Sequence, residues 1–171
     1  MKSALLIAAV FLAGCKEDLV QAPDPVSLTS DALSHYCQMS VAEHDGPKGQ
    51  VHLEGFAQPL FFGQVRDLLA YLKMPERDAA IVAVYVSDTD AAQSWADMGA
   101  DNWIPAEIAY FVVGAGVAGG MGAPEVVPFS VADAASAFAE RYGGKVMTLD
   151  TIPDNVVLGP VDLDQLLEVP L

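Results

Sequence analysis

The sequence predicts an α+β protein built from two small ββαβ-like units. Short apolar runs rich in β-branched and aromatic residues alternate with two segments of helical spacing. The order of elements recurs, and when Phe62 is laid on Phe129, Tyr71 falls on Phe138, so an aromatic pair repeats sixty-seven positions apart. Residues 33–102 form the first unit and 103–171 the second, after a segment at 1–14 and a linker at 15–32.

In the first unit, residues 50–56 and 59–62 read as a hairpin around Gly55-Phe56-Ala57-Gln58. Val65, Leu68, Leu69 and Leu72 then place an apolar stripe on a helix over 64–73, and residues 80–86 are a β-branched strand. Between the units, a stretch rich in aspartate is expected to hold a short helix around 90–98. The second unit is read as strands near 108–113 and 125–129, a helix over 131–142 ended by Gly143-Gly144, and a closing strand at 145–149. Trp95 and Trp103 are read as core, and Met74, Met98 and Met147 as packing or surface residues.

The chain has 171 residues, 53% hydrophobic, with a formal net charge of −15. That apolar content excludes a disordered chain, and a charge of this sign repels nucleic acid and anionic lipid, so no nucleic-acid partner is expected. A basic surface on a partner would be attracted instead.

At the N-terminus, Lys2 precedes an apolar stretch too short to span a bilayer, which ends in Leu12-Ala13-Gly14-Cys15. This resembles the bacterial lipobox, which implies a signal peptide at 1–14, acylation of Cys15, for example with palmitate, and attachment to a membrane. Residues 16–32, with Pro23, Pro25 and four acidic side chains, read as the tether.

Acylation of Cys15 leaves Cys37 without a disulfide partner. An unpaired thiol in an oxidising compartment is exposed to sulfenic acid formation, and metal ligation is one reason to keep it. A buried structural cysteine is the other reading. In extended backbone, residues at i and i+2 point to one side, so His35, Cys37 and Met39 could offer an imidazole, a thiolate and a thioether to a single ion. Sulfur donors of this kind select copper(I) over hard ions. Met121, alone in the Gly-rich stretch from Gly114 to Pro124, is a second thioether candidate, since glycines permit close approach and unusual backbone angles. That stretch lacks the lysine and hydroxyl residue of a phosphate-binding loop. His44 and His52 carry less weight because nothing in their spacing fixes their geometry.

His-Tyr-Cys-Gln-Met soon after a lipobox, Trp-Ile-Pro-Ala at 103–106, Gly-Met-Gly-Ala-Pro-Glu-Val-Val-Pro-Phe-Ser at 120–130 and Tyr-Gly-Gly-Lys at 142–145 together resemble the NosL family of nitrous oxide reductase accessory lipoproteins. The resemblance implies two mobile ββαβ halves related to organomercurial lyase and a lipid-anchored protein facing the periplasm. It also implies a copper(I) chaperone supplying the copper–sulfide centre of nitrous oxide reductase, in cooperation with a membrane ABC transporter. Ligation is carried onto Cys37 and Met39, and onto Met121. The third ligand stays open between Met121 and a nearby histidine. An enzyme is not expected: carbon–mercury cleavage of the lyase type needs further thiols, and fold analogy is not function. A lipoprotein module that scaffolds the transporter, with Cys37 structural, is the remaining alternative.

Overall fold

The computed structural model describes residues 22–161. The expected signal segment and the acylation site at Cys15 lie outside the described residues, as do residues 162–171.

Both expected units form. In the first, β1 (Gly49–Leu53) and β2 (Leu60–Phe62) make the hairpin, α1 (Val65–Lys73) follows, and β3 (Ile81–Ser87) returns along the other side of β1. The second repeats this with β5 (Tyr110–Val113), β6 (Val127–Phe129), α2 (Ala132–Tyr142) and β7 (Lys145–Thr148), with β5 between β6 and β7. The aromatic repeat is structural as well: Phe62 and Tyr71 lie 5.5 Å apart at 49°, Phe129 and Phe138 5.3 Å apart at 54°.

One strand was not expected, and it joins the first sheet. β4 (Trp103–Pro105), assigned by its place in the sequence to the second unit, pairs antiparallel with β3 through Val86 and Ile104. The first sheet therefore runs β2-β1-β3-β4 and the second β6-β5-β7, with the division after Pro105. A run of three residues carries too little periodicity to specify its partner, so long-range pairing decided it.

Val65, Leu68 and Leu69 of α1 bury against Val51, Leu53, Phe62 and Val86, and the same cluster takes Phe111 and Val113 from β5. Val112, on the opposite face of β5, joins Val127, Phe129, Ala135 and Tyr142. Burying a large apolar side chain contributes about 1.5–3 kcal/mol, so β5, covered on both faces, makes the two units interdependent. The short α3 (Asp154–Leu158) packs on α1 and adds Val157 to the shared core.

Two irregular segments depart from expectation. The second half of the expected linker is docked: the Tyr85 hydroxyl donates to Pro23 O (2.7 Å), the Gln50 side-chain amide bonds both the N–H and the C=O of Val26 (2.9 and 3.0 Å), and Leu28 N–H reaches Ala100 O (2.9 Å). Residues 90–98 form turns where a helix was expected. Asp88 and Asp97 carboxylates and the Ser94 hydroxyl accept backbone N–H groups of Asp90, Gly99 and Asp97, and such local bonds compete with a helical ladder.

Candidate metal site

Cys37 sits on a tight turn. An antiparallel bridge joins Leu33 to Ser40, Ser34 N–H donates to Met39 O (2.9 Å) and Gln38 N–H to Ser34 O (2.9 Å), which closes the loop around His35-Tyr36-Cys37. Gln38 is held at φ 56°, a left-handed conformation that no other non-glycine residue adopts among the described residues. Its side-chain amide donates to the carbonyls of Ser34 (3.2 Å) and His35 (2.8 Å) and clips the turn shut. The extended geometry expected for His35-Cys37-Met39 is thus replaced by a turn, because one left-handed residue reverses the chain between the two sulfurs.

That reversal separates the expected ligands. His35 turns to an aromatic cluster, with ring centroids 5.6 Å from Phe62 and 5.4 Å from Tyr71. Met39 is 54% exposed at the end of the turn, while Cys37 is half-buried and faces another imidazole. Cys37 Sγ lies 3.9 Å from Nε2 of His44, one of the histidines given less weight in the sequence.

His44 follows a single turn of 3-10 helix (Val41–Glu43) whose Val41 is fully buried and anchors it. Its ring is buried, and Nδ1–H donates to Ser40 O (2.7 Å). A carbonyl only accepts, so Nδ1 carries the proton of the neutral ring and Nε2 keeps a free lone pair. Nε2 points at Met121 Sδ, 3.0 Å away. With the ring neutral, the Nε2 lone pair and the Met121 thioether face one another, an arrangement suited to a soft cation.

Met121 reaches His44 from the tip of a narrow hairpin. Ala118 bridges Pro124, Gly119 N–H donates to Ala123 O (2.8 Å) and Glu125 N–H to Val117 O (2.9 Å). The approach requires glycine. A Cβ on Gly120 would lie 2.5 Å from His44 Cβ and 2.8 Å from Asp45 O, and one on Gly119 would lie 2.4 Å from Glu125 Oε2. Met121 N–H donates to Gln64 Oε1 (3.2 Å), while the Gln64 amide donates to Asp67 (3.1 Å), which ties the hairpin to the start of α1.

Beneath the hairpin is a buried carboxylate. Glu125 Oε1 accepts the N–H groups of Arg66 (2.9 Å) and Val126 (2.8 Å), capping α1 from the segment that leads into β6 of the other unit, and Oε2 has no partner among the described residues. Burial pushes the Glu125 carboxyl up to about 8. Burial also lowers the Lys48 ammonium to about 8, although its Nζ donates to the carbonyls of His44 and Gly46 and so braces the segment that carries the imidazole.

The cluster is therefore a thiol, an imidazole and a thioether, with a second thioether on the same turn as the thiol. Among the described residues no three His, Cys, Asp or Glu side chains converge, so the cluster depends on its thioether, and no helix is long and apolar enough to cross a membrane.

Residues 25–157 match the family model described as NosL. The chain belongs to the NosL family. It is 50% identical over 161 residues to the copper-binding lipoprotein NosL of Achromobacter cycloclastes, covering 92% of this chain and 83% of that protein. Identity to the copper-binding lipoprotein NosL of Stutzerimonas stutzeri is 31% over 150 residues, covering 86% and 76% respectively. The crystal structure of the copper chaperone NosL from Shewanella denitrificans superposes with a TM-score of 0.71 at 35% identity, covering 75% of this chain and 95% of that one. These NosL relatives are named as binders and a chaperone of copper, and the α+β architecture is theirs.

The residue that sequence reasoning underweighted is His44. No motif spacing links it to Cys37, seven positions earlier; the one available signal was that a nearby histidine was still open as the third ligand.

Proposed function

We propose that this chain is a copper(I) chaperone, lipid-anchored at Cys15 on the periplasmic side of the membrane, which supplies copper for the copper–sulfide centre of nitrous oxide reductase. The observation that carries copper(I) is the convergence of Cys37 Sγ and Met121 Sδ on Nε2 of His44. Thiolate, thioether and imidazole together suit a soft monovalent ion with few ligands, and the carboxylates that a hard ion needs are absent from the cluster. Copper binding by the Achromobacter, Stutzerimonas and Shewanella relatives supports the same reading.

Copper is the cargo, so the site must release it. Met121 is 41% exposed and Met39 54%, while His44 is buried. In this reading the thiolate and imidazole supply affinity, and the two exposed thioethers are the ligands that an incoming donor displaces first. Met39 joins the ion from the rim of the turn. The ABC transporter and the reductase belong to the proposal through the family, and the acidic surface favours a basic recipient.

Competition between the full chain and a copper(I) chelator tests the site. Cys37→Ser is expected to lose nearly all binding at neutral pH and His44→Ala most of it. Wild-type affinity in Cys37→Ser would overturn the assignment. So would undiminished transfer to nitrous oxide reductase from a chain that cannot load copper, which would favour a scaffolding lipoprotein.

A further inference from the structure

His35, expected as a ligand, instead forms one wall of a second feature, an open cleft of about 280 Å³ next to the Cys37 turn. Its walls are the rings of His35, Tyr36 and Tyr71, with the Met74 thioether closing one side. His35 and Tyr36 are 5.1 Å apart, and His35 meets Tyr71 edge-on at 5.4 Å, so three aromatic rings line the opening. Glu76 and Asp78 stand at the mouth, both exposed. Arg77 lies between them, and its guanidinium donates to Leu72 O near the end of α1, where a cation favours the helix terminus.

Tyr71 supplies an independent sign of a ligand. Tyr71 is 5% exposed and lines the cleft, and its buried hydroxyl finds no hydrogen-bond partner among the described residues. A buried polar group without a partner is costly, and is accounted for when a ligand completes it. Burial raises the Tyr71 hydroxyl, with the nearby Asp78 carboxylate raising it further and the Arg77 guanidinium lowering it.

We propose that this cleft binds an arginine side chain of a protein partner. A guanidinium is flat, stacks on aromatic faces and carries N–H donors on several edges. It would donate to the orphan Tyr71 oxygen and to Glu76 and Asp78 while lying against His35 and Tyr36. The formal charge of −15 draws basic surfaces toward the chain as a whole. His35 and Tyr36 belong to the same turn as Cys37, so a partner gripped here is docked beside the thiol. That this partner is the acceptor of copper rests on the proposed function; the preference of the cleft for a guanidinium does not.

The test is NMR titration of the full chain, in a non-ionic detergent, with a capped glycine–arginine–glycine peptide and with the same peptide carrying citrulline, which keeps the shape and removes the charge. The arginine peptide is expected to shift the Tyr71 and His35 ring signals saturably, and the citrulline peptide to leave them unmoved. Tyr71→Phe, which loses one hydrogen bond, should weaken the peptide about fivefold, and Glu76→Gln with Asp78→Asn should do so at least as strongly. Copper(I) affinity of these variants is expected to stay at the wild-type value, which separates failure here from failure of the copper site. Equal binding of both peptides, or unchanged binding in the variants, would overturn the proposal. Phosphatidylcholine vesicles that displace the arginine peptide would reassign the cleft to a lipid headgroup.

Discussion

Nε2 of His44 lies 3.0 Å from Sδ of Met121, across 77 residues of sequence. His44 belongs to the segment entering the first sheet and Met121 to the hairpin between β5 and β6 of the second, so the contact joins the two units at the candidate site. Disturbing either approach should therefore register first in copper affinity and only secondarily in stability.

The two histidines near Cys37 should behave oppositely. His44→Ala removes the lone pair facing both sulfurs and is expected to weaken copper(I) binding by at least about tenfold, or 1.4 kcal/mol. His35→Phe keeps an aromatic ring in the cluster with Phe62 and Tyr71 and should leave affinity within about twofold. Chelator competition on both variants checks this, and equal losses would return His35 to the ligand set.

Gly120→Ala is expected to separate Met121 from His44 without unfolding the protein, since its Cβ meets His44 Cβ at 2.5 Å and only the hairpin tip can yield. The affinity of Gly120→Ala should then approach that of Met121→Ala. X-ray absorption on the copper-loaded variant should show one sulfur fewer than the wild type.

Gln38 at φ 56° carries strain that its own side-chain bonds offset. A β-branched residue tolerates that conformation poorly and cannot make the bonds. Gln38→Val should cost about 1–3 kcal/mol in urea unfolding. It should also weaken copper binding, because the turn between Cys37 and Met39 opens.

Glu125 makes stability depend on pH. Its carboxyl is raised from 4.5 to about 8 by burial. The folded state therefore holds a proton that the unfolded chain has already released, and the stabilisation is complete below pH 4.5 and is lost as pH rises through about 8. Lys48, lowered to about 8 from 10.5, acts in the opposite sense only above that window. Glu125→Gln keeps an acceptor for Arg66 and Val126 and cannot ionise, so its stability should fall less between pH 5 and pH 8 than that of the wild type. Urea unfolding at the two pH values reads the difference, and parallel losses would remove Glu125 as the source.

Much of the fold was legible because it rests on periodicity. The apolar stripe of α1 and the short runs of β1, β3 and β5 announce themselves in the order of residues, and the Phe62–Tyr71 and Phe129–Phe138 pairs occupy matching places at nearly the same distance. β4 and the turns at 90–98 were not legible. In the first, pairing with β3 was decided by strands distant in sequence; in the second, Asp and Ser side chains took over backbone donors that a helix would have used.

The sequence by itself determined the thiol and the thioethers at Cys37, Met39 and Met121, and the glycines that let the last approach, because these follow from residue type. The tertiary structure decided which side chains meet. A left-handed Gln38 turns His35 away, and the carbonyl of Ser40 fixes the tautomer of His44. Closure of the two sheets on one core then carries Met121 to His44 Nε2. Ligand identity is a property of single residues, whereas convergence depends on backbone reversal and long-range packing.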